Sequence, residues 1–288
     1  MSAAVTTPAG REAARQATQA RRPRRRWGRF LLPAYSWLVI AYLVFPIAVM
    51  VLYSFNKVTT GLPQVSFAWN GFTTQWYQQW KDIPQLTSAF WLSIRLALVA
   101  TLFATVLGTL LALALVRYRP PRFRGRSLVE QVLFLNIAAP EIVLGASLLG
   151  LFVTVSVARG FLTLLLAHVA FSIAYVTVTV RARMAGFDRT LEEAAADLGA
   201  NAWVTFRKIT FPLIMPGILA GALMAFALSI DDFVTSNFVS GSAVPFPVWV
   251  YGATRIGIPP QVFVFGSAIF AVGILCALTS IVVARRQT

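Results

Sequence analysis

Negative charge is scarce in this chain: 10 of its 288 residues are Asp or Glu, against 25 Lys and Arg. Other chemistry is scarcer. A single cysteine, Cys276, excludes an intrachain disulfide. A single histidine, His168, leaves no His-rich metal cluster, so a metal site is set aside. No Gly-Lys pair occurs, so there is no Walker A loop to cradle a nucleotide phosphate. No Gly-x-Ser-x-Gly elbow occurs either. The chain is therefore read as having no catalytic residue and no bound cofactor of its own.

What is abundant is hydrocarbon. The composition is 58% hydrophobic and 12% charged, too apolar for a soluble domain of this size. About 20 apolar residues at ~1.5 Å each cross ~30 Å of bilayer hydrocarbon. Six stretches qualify: Phe30–Phe55, Thr87–Val116, Gln131–Val155, Phe161–Val180, Leu213–Val234 and Gln261–Ala284. The expected fold is an all-α membrane protein with six transmembrane helices.

The net charge of +15 invites a nucleic-acid reading, and its distribution opposes one. With both termini cytoplasmic and the spans alternating, 20 of the 25 Lys and Arg fall inside. Only Lys57, Lys81, Arg95, Arg159 and Arg255 remain outside. That asymmetry is the positive-inside bias. Residues 1–29 read as a disordered basic cytoplasmic tail, its run Arg21–Arg29 an anchor to anionic lipid. The apolar stretch that follows is longer than a signal-peptide core, so it reads as an uncleaved first span. Residues 285–288 form a short cytoplasmic end. Outside, 56–86 is the longest segment, with Trp69, Trp76, Tyr77 and Trp80. It holds a short interfacial helix near Thr73–Lys81 or a plain loop. The short turn Ser156–Gly160 predicts that spans three and four form a tight antiparallel pair. The segment Ser236–Pro260, rich in Gly, Pro and Ser, either packs into a cavity mouth or merely connects. No internal repeat is found.

One inside segment is unlike its surroundings. Asp188, Glu192, Glu193 and Asp197 are four of the chain's ten acids. Thr190 and Glu193 have capping-box spacing. Leu191 to Leu198 reads as two helical turns, with Gly199 suited to the left-handed residue that ends a helix. Asn201 can cap a second short helix, Ala202 to Lys208, before Pro212 begins the fifth span. On composition alone this is equally a surface loop that happens to be helical.

The order of residues is more telling. Glu193-Ala194-Ala195, three residues, Gly199, nine residues, then Ile209-x-x-Pro212 resembles the coupling loop of type I ABC importer membrane subunits, with Phe211 where leucine is usual. Tyr53–Asn56, Leu166–Val176 and Leu228–Gly241 resemble spermidine/putrescine importer permeases, particularly the second of their two membrane subunits. The resemblance implies an importer core over 87–284, with a coupling loop at 188–212. It implies that Glu193, Ala194, Ala195 and Gly199 shape that loop, and that Ala202, Trp203, Phe206 and Pro212 belong to its contact with an ATPase. It also implies partners: a second permease subunit in a heterodimer, two ATP-binding subunits that hydrolyse ATP, and an extracytoplasmic solute-binding protein. The setting would be the bacterial cytoplasmic (inner) membrane.

Three acids fall within the expected spans: Glu141 near the middle of the third, and Asp231 and Asp232 late in the fifth. Carboxylates are costly in hydrocarbon, so these must face the protein interior, pair or protonate. A polyamine needs spaced carboxylates for its ammonium groups and aromatic faces along its methylenes. Asp232 is the first candidate for the pathway, then Asp231 and Glu141. Phe233, Phe238 and Tyr175 can supply the faces. The structural alternative is that Glu141 is held by a neighbouring span and the aspartates pair with Arg255 or a cap. His168 reads as a helix–helix hydrogen bond. Two other functions compete. An ion-coupled secondary transporter also buries acids but needs no docking loop and often shows inverted repeats. A non-transporting scaffold leaves the acids unexplained. An importer of another small solute is the nearest alternative.

Overall fold

The computed structural model describes residues 28–58, 68–117, 125–186, 188 and 190–285. The basic stretch before Gly28, most of the Arg117–Ser127 turn, and the end beyond Arg285 lie outside the described residues. The described residues are helical apart from short connections and one isolated antiparallel bridge, Asn56 with Phe72. Helix α1 is Gly28–Tyr53, α2 Gln75–Gln78, α3 Pro84–Arg117 and α4 Arg126–Ala138. Then come α5 Glu141–Thr154, α6 Phe161–Ala185 and α7 Thr190–Asp197. Helix α8 runs Ala202–Asp231, followed by α9 Val234–Val239, α10 Phe246–Ala253 and α11 Gln261–Arg285.

Among the described residues, α1, α3, α6 and α8 are long and apolar enough to cross a membrane. Helices α4 and α5 together make a fifth candidate, bent by 112°. The last expected span lies in α11. The third span, expected unbroken over Gln131–Val155, is thus two helices. The cause is Pro140. It has no N–H to give, and it drives the preceding residue out of the helical region. Ala139 takes φ −64, ψ 135 and Pro140 φ −60, ψ 130, both extended. Glu141 therefore opens a helix instead of sitting inside one.

The residues beyond Met50 build their core on α3, α6 and α8, which pack on one another. Small residues make this possible. Ser93, Ala97, Ala100, Ala104, Gly108 and Ala112 recur on one buried face of α3, the pattern that lets helix backbones approach closely. At Gly108 the approach is obligatory, because a Cβ there would lie 2.8 Å from Val176. Val176, Val180, Met184, Ile214 and Ala225 complete the cluster.

The tight pairing expected of spans three and four is not what forms. Helix α5 packs chiefly on α9. A Cβ at Gly145 would meet the ring of Phe238 at 2.6 Å, so glycine admits that ring. The segment after α8 is no mere connector, since it folds into α9 and α10. The interfacial helix expected near Thr73–Lys81 is one turn, α2. Trp76 within it donates its indole N–H to the Asn56 carbonyl at 2.8 Å.

Candidate functional site

The chain backbone breaks twice around one hollow. The first break is Ala139–Pro140. The second is Asp232, extended at φ −60, ψ 114, between α8 and α9. Both breaks line a cavity of about 340 Å³. Asn136, Glu141, Phe171, Tyr175, Asp231 and Phe233 face it. Irregular backbone in a membrane protein is tolerated where it is buried in protein or lines a cavity. Glu141 and Asp231 are exposed, and the walls between them include three aromatic rings. Phe233 continues outward, its ring 4.7 Å from that of Tyr251, over which the Arg255 guanidinium lies at 5.2 Å.

The two adjacent aspartates have different surroundings. Asp232 accepts the Thr235 amide at 3.3 Å and the Ser236 amide at 2.7 Å, so its carboxylate caps α9. Its Oδ2 is 3.6 Å from Nε2 of His168. His168 is fully buried and bridges two hydroxyls, Ser229 at 2.7 Å and Ser236 at 3.0 Å. One imidazole thus ties α6 to both sides of the second break. Asp232, first candidate in the sequence for the pathway, touches the cavity while both its oxygens bind backbone amides. Asp231 and Glu141 present theirs to open space.

The charged loop lies at the other end of α8. Asp188 accepts the Thr190 amide at 3.0 Å, which holds the Asp188 carboxyl below the usual carboxylate range. The expected capping box between Thr190 and Glu193 gives way to this bond. Gly199 takes φ +82. The Gly199 amide reaches the Ala196 carbonyl and the Ala200 amide the Ala195 carbonyl, each at 2.9 Å, which is a Schellman ending for α7. Asn201 caps the next helix through the Val204 amide at 2.9 Å. That helix was expected to stop at Lys208. Instead it continues through a π-helical turn, Phe206–Thr210, into Phe211–Asp231. Glu193, Ala194, Ala202 and Trp203 are exposed, whereas Ala195 is buried.

Residues 106–286 match the family described as "binding-protein-dependent transport system inner membrane component". The chain belongs to that family. Permeases similar to it include the spermidine/putrescine transport system permease protein PotC of Haemophilus influenzae, 39% identical over 259 residues, 90% of this chain and 98% of that one. The PotC of Escherichia coli is 37% identical over 262 residues, 91% and 96% of the two chains. The E. coli putrescine transport system permease protein PotI is 38% identical over 258 residues, 87% and 89%.

Among solved structures, a bacterial ABC transporter involved in the import of the acidic polysaccharide alginate aligns with a TM-score of 0.64 at 16% identity. It covers 91% of this chain and 96% of that one. The inward-facing MetNI methionine ABC transporter aligns at 0.59 and 17%, over 70% and 96%. That likeness is one of fold, and the fold of this permease is the all-α core of type I ABC importer membrane subunits.

Sequence reading missed several residues of the candidate site and of the loop. Asn136 and Phe171 reach the cavity from α4 and α6. Asn136 carried no charge signal, and Phe171 is one aromatic among many. Glu192 was counted only as loop charge. It is bound by Arg117 from 75 residues away at 2.7 Å, a contact no local pattern announces.

Proposed function

We propose that this permease subunit carries polyamines, of the putrescine or spermidine kind, inward across the bacterial cytoplasmic membrane. The observation that carries the reading is the cavity at the two helix breaks. Glu141 and Asp231 offer separate carboxylates to ammonium groups, and Phe171, Tyr175 and Phe233 offer faces to a cation and its methylenes. The names of the similar permeases point to the same solutes.

In this reading the chain has no ATPase site. A second permease subunit completes the pathway, two ATP-binding subunits hydrolyse ATP, and an extracytoplasmic protein delivers the solute. Within 188–212, Glu193, Ala194, Ala195 and Gly199 shape the coupling loop, and Ala202, Trp203, Phe206 and Pro212 belong to its ATPase contact on the cytoplasmic side. Both termini are cytoplasmic, and the importer core spans 87–284.

The test is uptake by the complete set of subunits in cells lacking other polyamine importers. Labelled putrescine or spermidine should enter, while uncharged and anionic solutes of similar length should not. Import of a neutral or anionic solute with no polyamine uptake would overturn the reading.

A further inference from the structure

Arg117 ends α3, Glu192 lies in the first turn of α7, and Thr210 closes the π turn of α8. Their side chains meet at one point. Nη2 of Arg117 donates to Oε1 of Glu192 at 2.7 Å and to the Thr210 hydroxyl at 3.2 Å. The Thr210 hydroxyl donates to the same carboxylate oxygen. A hollow of about 420 Å³ lies beside them, lined by Ala196, Ala200 and Thr205, so apolar packing does not fill the space under this end of the loop.

Helix α7 packs lightly on the start of α8 and runs into it through the turn at Gly199 and Ala200. The bonds to Glu192 add a fastening at the opposite end of α7, one that reaches α3 as well as α8. Adjacent Glu193 is exposed, so the two neighbouring glutamates divide their work. One is spent within the chain and the other remains free for a partner.

We propose that Arg117, Glu192 and Thr210 form a positioning joint that makes the loop move as one body with α3 and α8. The proposal rests on the reading of the loop as the ATPase contact. The ion pair is partly exposed, 38% at Arg117 and 26% at Glu192, so it adds little to stability. What it fixes is direction. Displacement applied to the loop reaches α8, whose far end is Asp231 at the cavity. That helix has 30 residues, or ~45 Å of axis at 1.5 Å each.

The test uses the complete assembly in proteoliposomes. Arg117→Gln should keep basal ATP hydrolysis within about twofold of the unmodified assembly, while labelled polyamine imported per ATP falls at least about fivefold. Arg117→Glu should be worse, and Arg117→Glu combined with Glu192→Arg should recover at least half of the lost ratio. A ratio unchanged by Arg117→Gln, or a pair of substitutions no better than Arg117→Glu alone, overturns the joint.

Spin labels at Ala196 and Val106, both exposed, read the same point whatever solute is carried. Their distance distribution should be narrow and should broaden in Arg117→Gln. Equal widths overturn the joint. Glu193→Lys tests the underlying reading separately, because ATPase subunits that still bind and couple normally would refute the loop contact and not the joint.

Discussion

Replacing Asp231 by asparagine removes a negative charge from the cavity while keeping the side chain's size. In the structure this carboxylate is exposed and shares the cavity with Glu141, Tyr175 and Phe233. A hydrogen bond to a charged partner is worth about 1.5–3 kcal/mol. Losing one such contact weakens apparent affinity for a polyamine by roughly tenfold to a hundredfold or slightly more.

Asp232→Asn is the matched control. Asparagine keeps one oxygen for the Ser236 amide, now bound at 2.7 Å, and loses the longer bond from the Thr235 amide at 3.3 Å. The expected cost is about 1 kcal/mol of stability at the α8–α9 break, with apparent affinity changed less than about fivefold. Initial uptake rates across polyamine concentrations give the affinity, and thermal unfolding in detergent gives the stability. If Asp231→Asn transports with unchanged apparent affinity while Asp232→Asn loses it, the division of roles between the two aspartates is refuted.

Two further outcomes follow from other parts of the chain. Gly199→Val places a β-branched residue at φ +82, which costs about 1 kcal/mol or more. It should leave the protein in the membrane yet lower ATPase activity stimulated by loaded binding protein. Normal stimulation would show that the turn need not keep this shape. In a Cys276→Ser background, cysteines at Gln75 and Ser242 should react with an impermeant thiol reagent added outside, and one at Ala200 should not. Outside labelling at position 200 would reverse the orientation drawn from the Lys and Arg asymmetry.

Much of this architecture could be read along the chain because its causes are local. Long apolar runs dictated helices. Gly199 and Asn201 marked a helix end and a helix start by their own chemistry. His168 was identified as an interhelical hydrogen-bonding group because a lone polar ring among apolar neighbours has few other uses. The break at Pro140 was also locally encoded, in the restriction that proline places on Ala139, but unbroken hydropathy hid it.

Other features depend on distant partners. The sequence offered a cap as one fate of the aspartates, but it does not say that Asp232 takes that role at α9 while Asp231 meets the cavity. The direction of each side chain is fixed by where α8 stops, at a break that His168 spans from α6 through Ser229 and Ser236. The π turn is similar. Phe206–Lys208 reads as the end of an ordinary helix, whereas the structure winds Phe206–Thr210 more widely and carries the helix on into α8.

The open cavity also bears on the protein's biogenesis. A copy newly released into the bilayer without a companion carries the carboxylates of Glu141 and Asp231 uncovered, beside two stretches of unwound backbone. Hydrocarbon is a poor host for either. On the proposed reading a second permease subunit covers that face, and a copy made without it is expected to be degraded sooner. Balanced synthesis of the two proposed subunits would then help set how much of this protein persists in the cell.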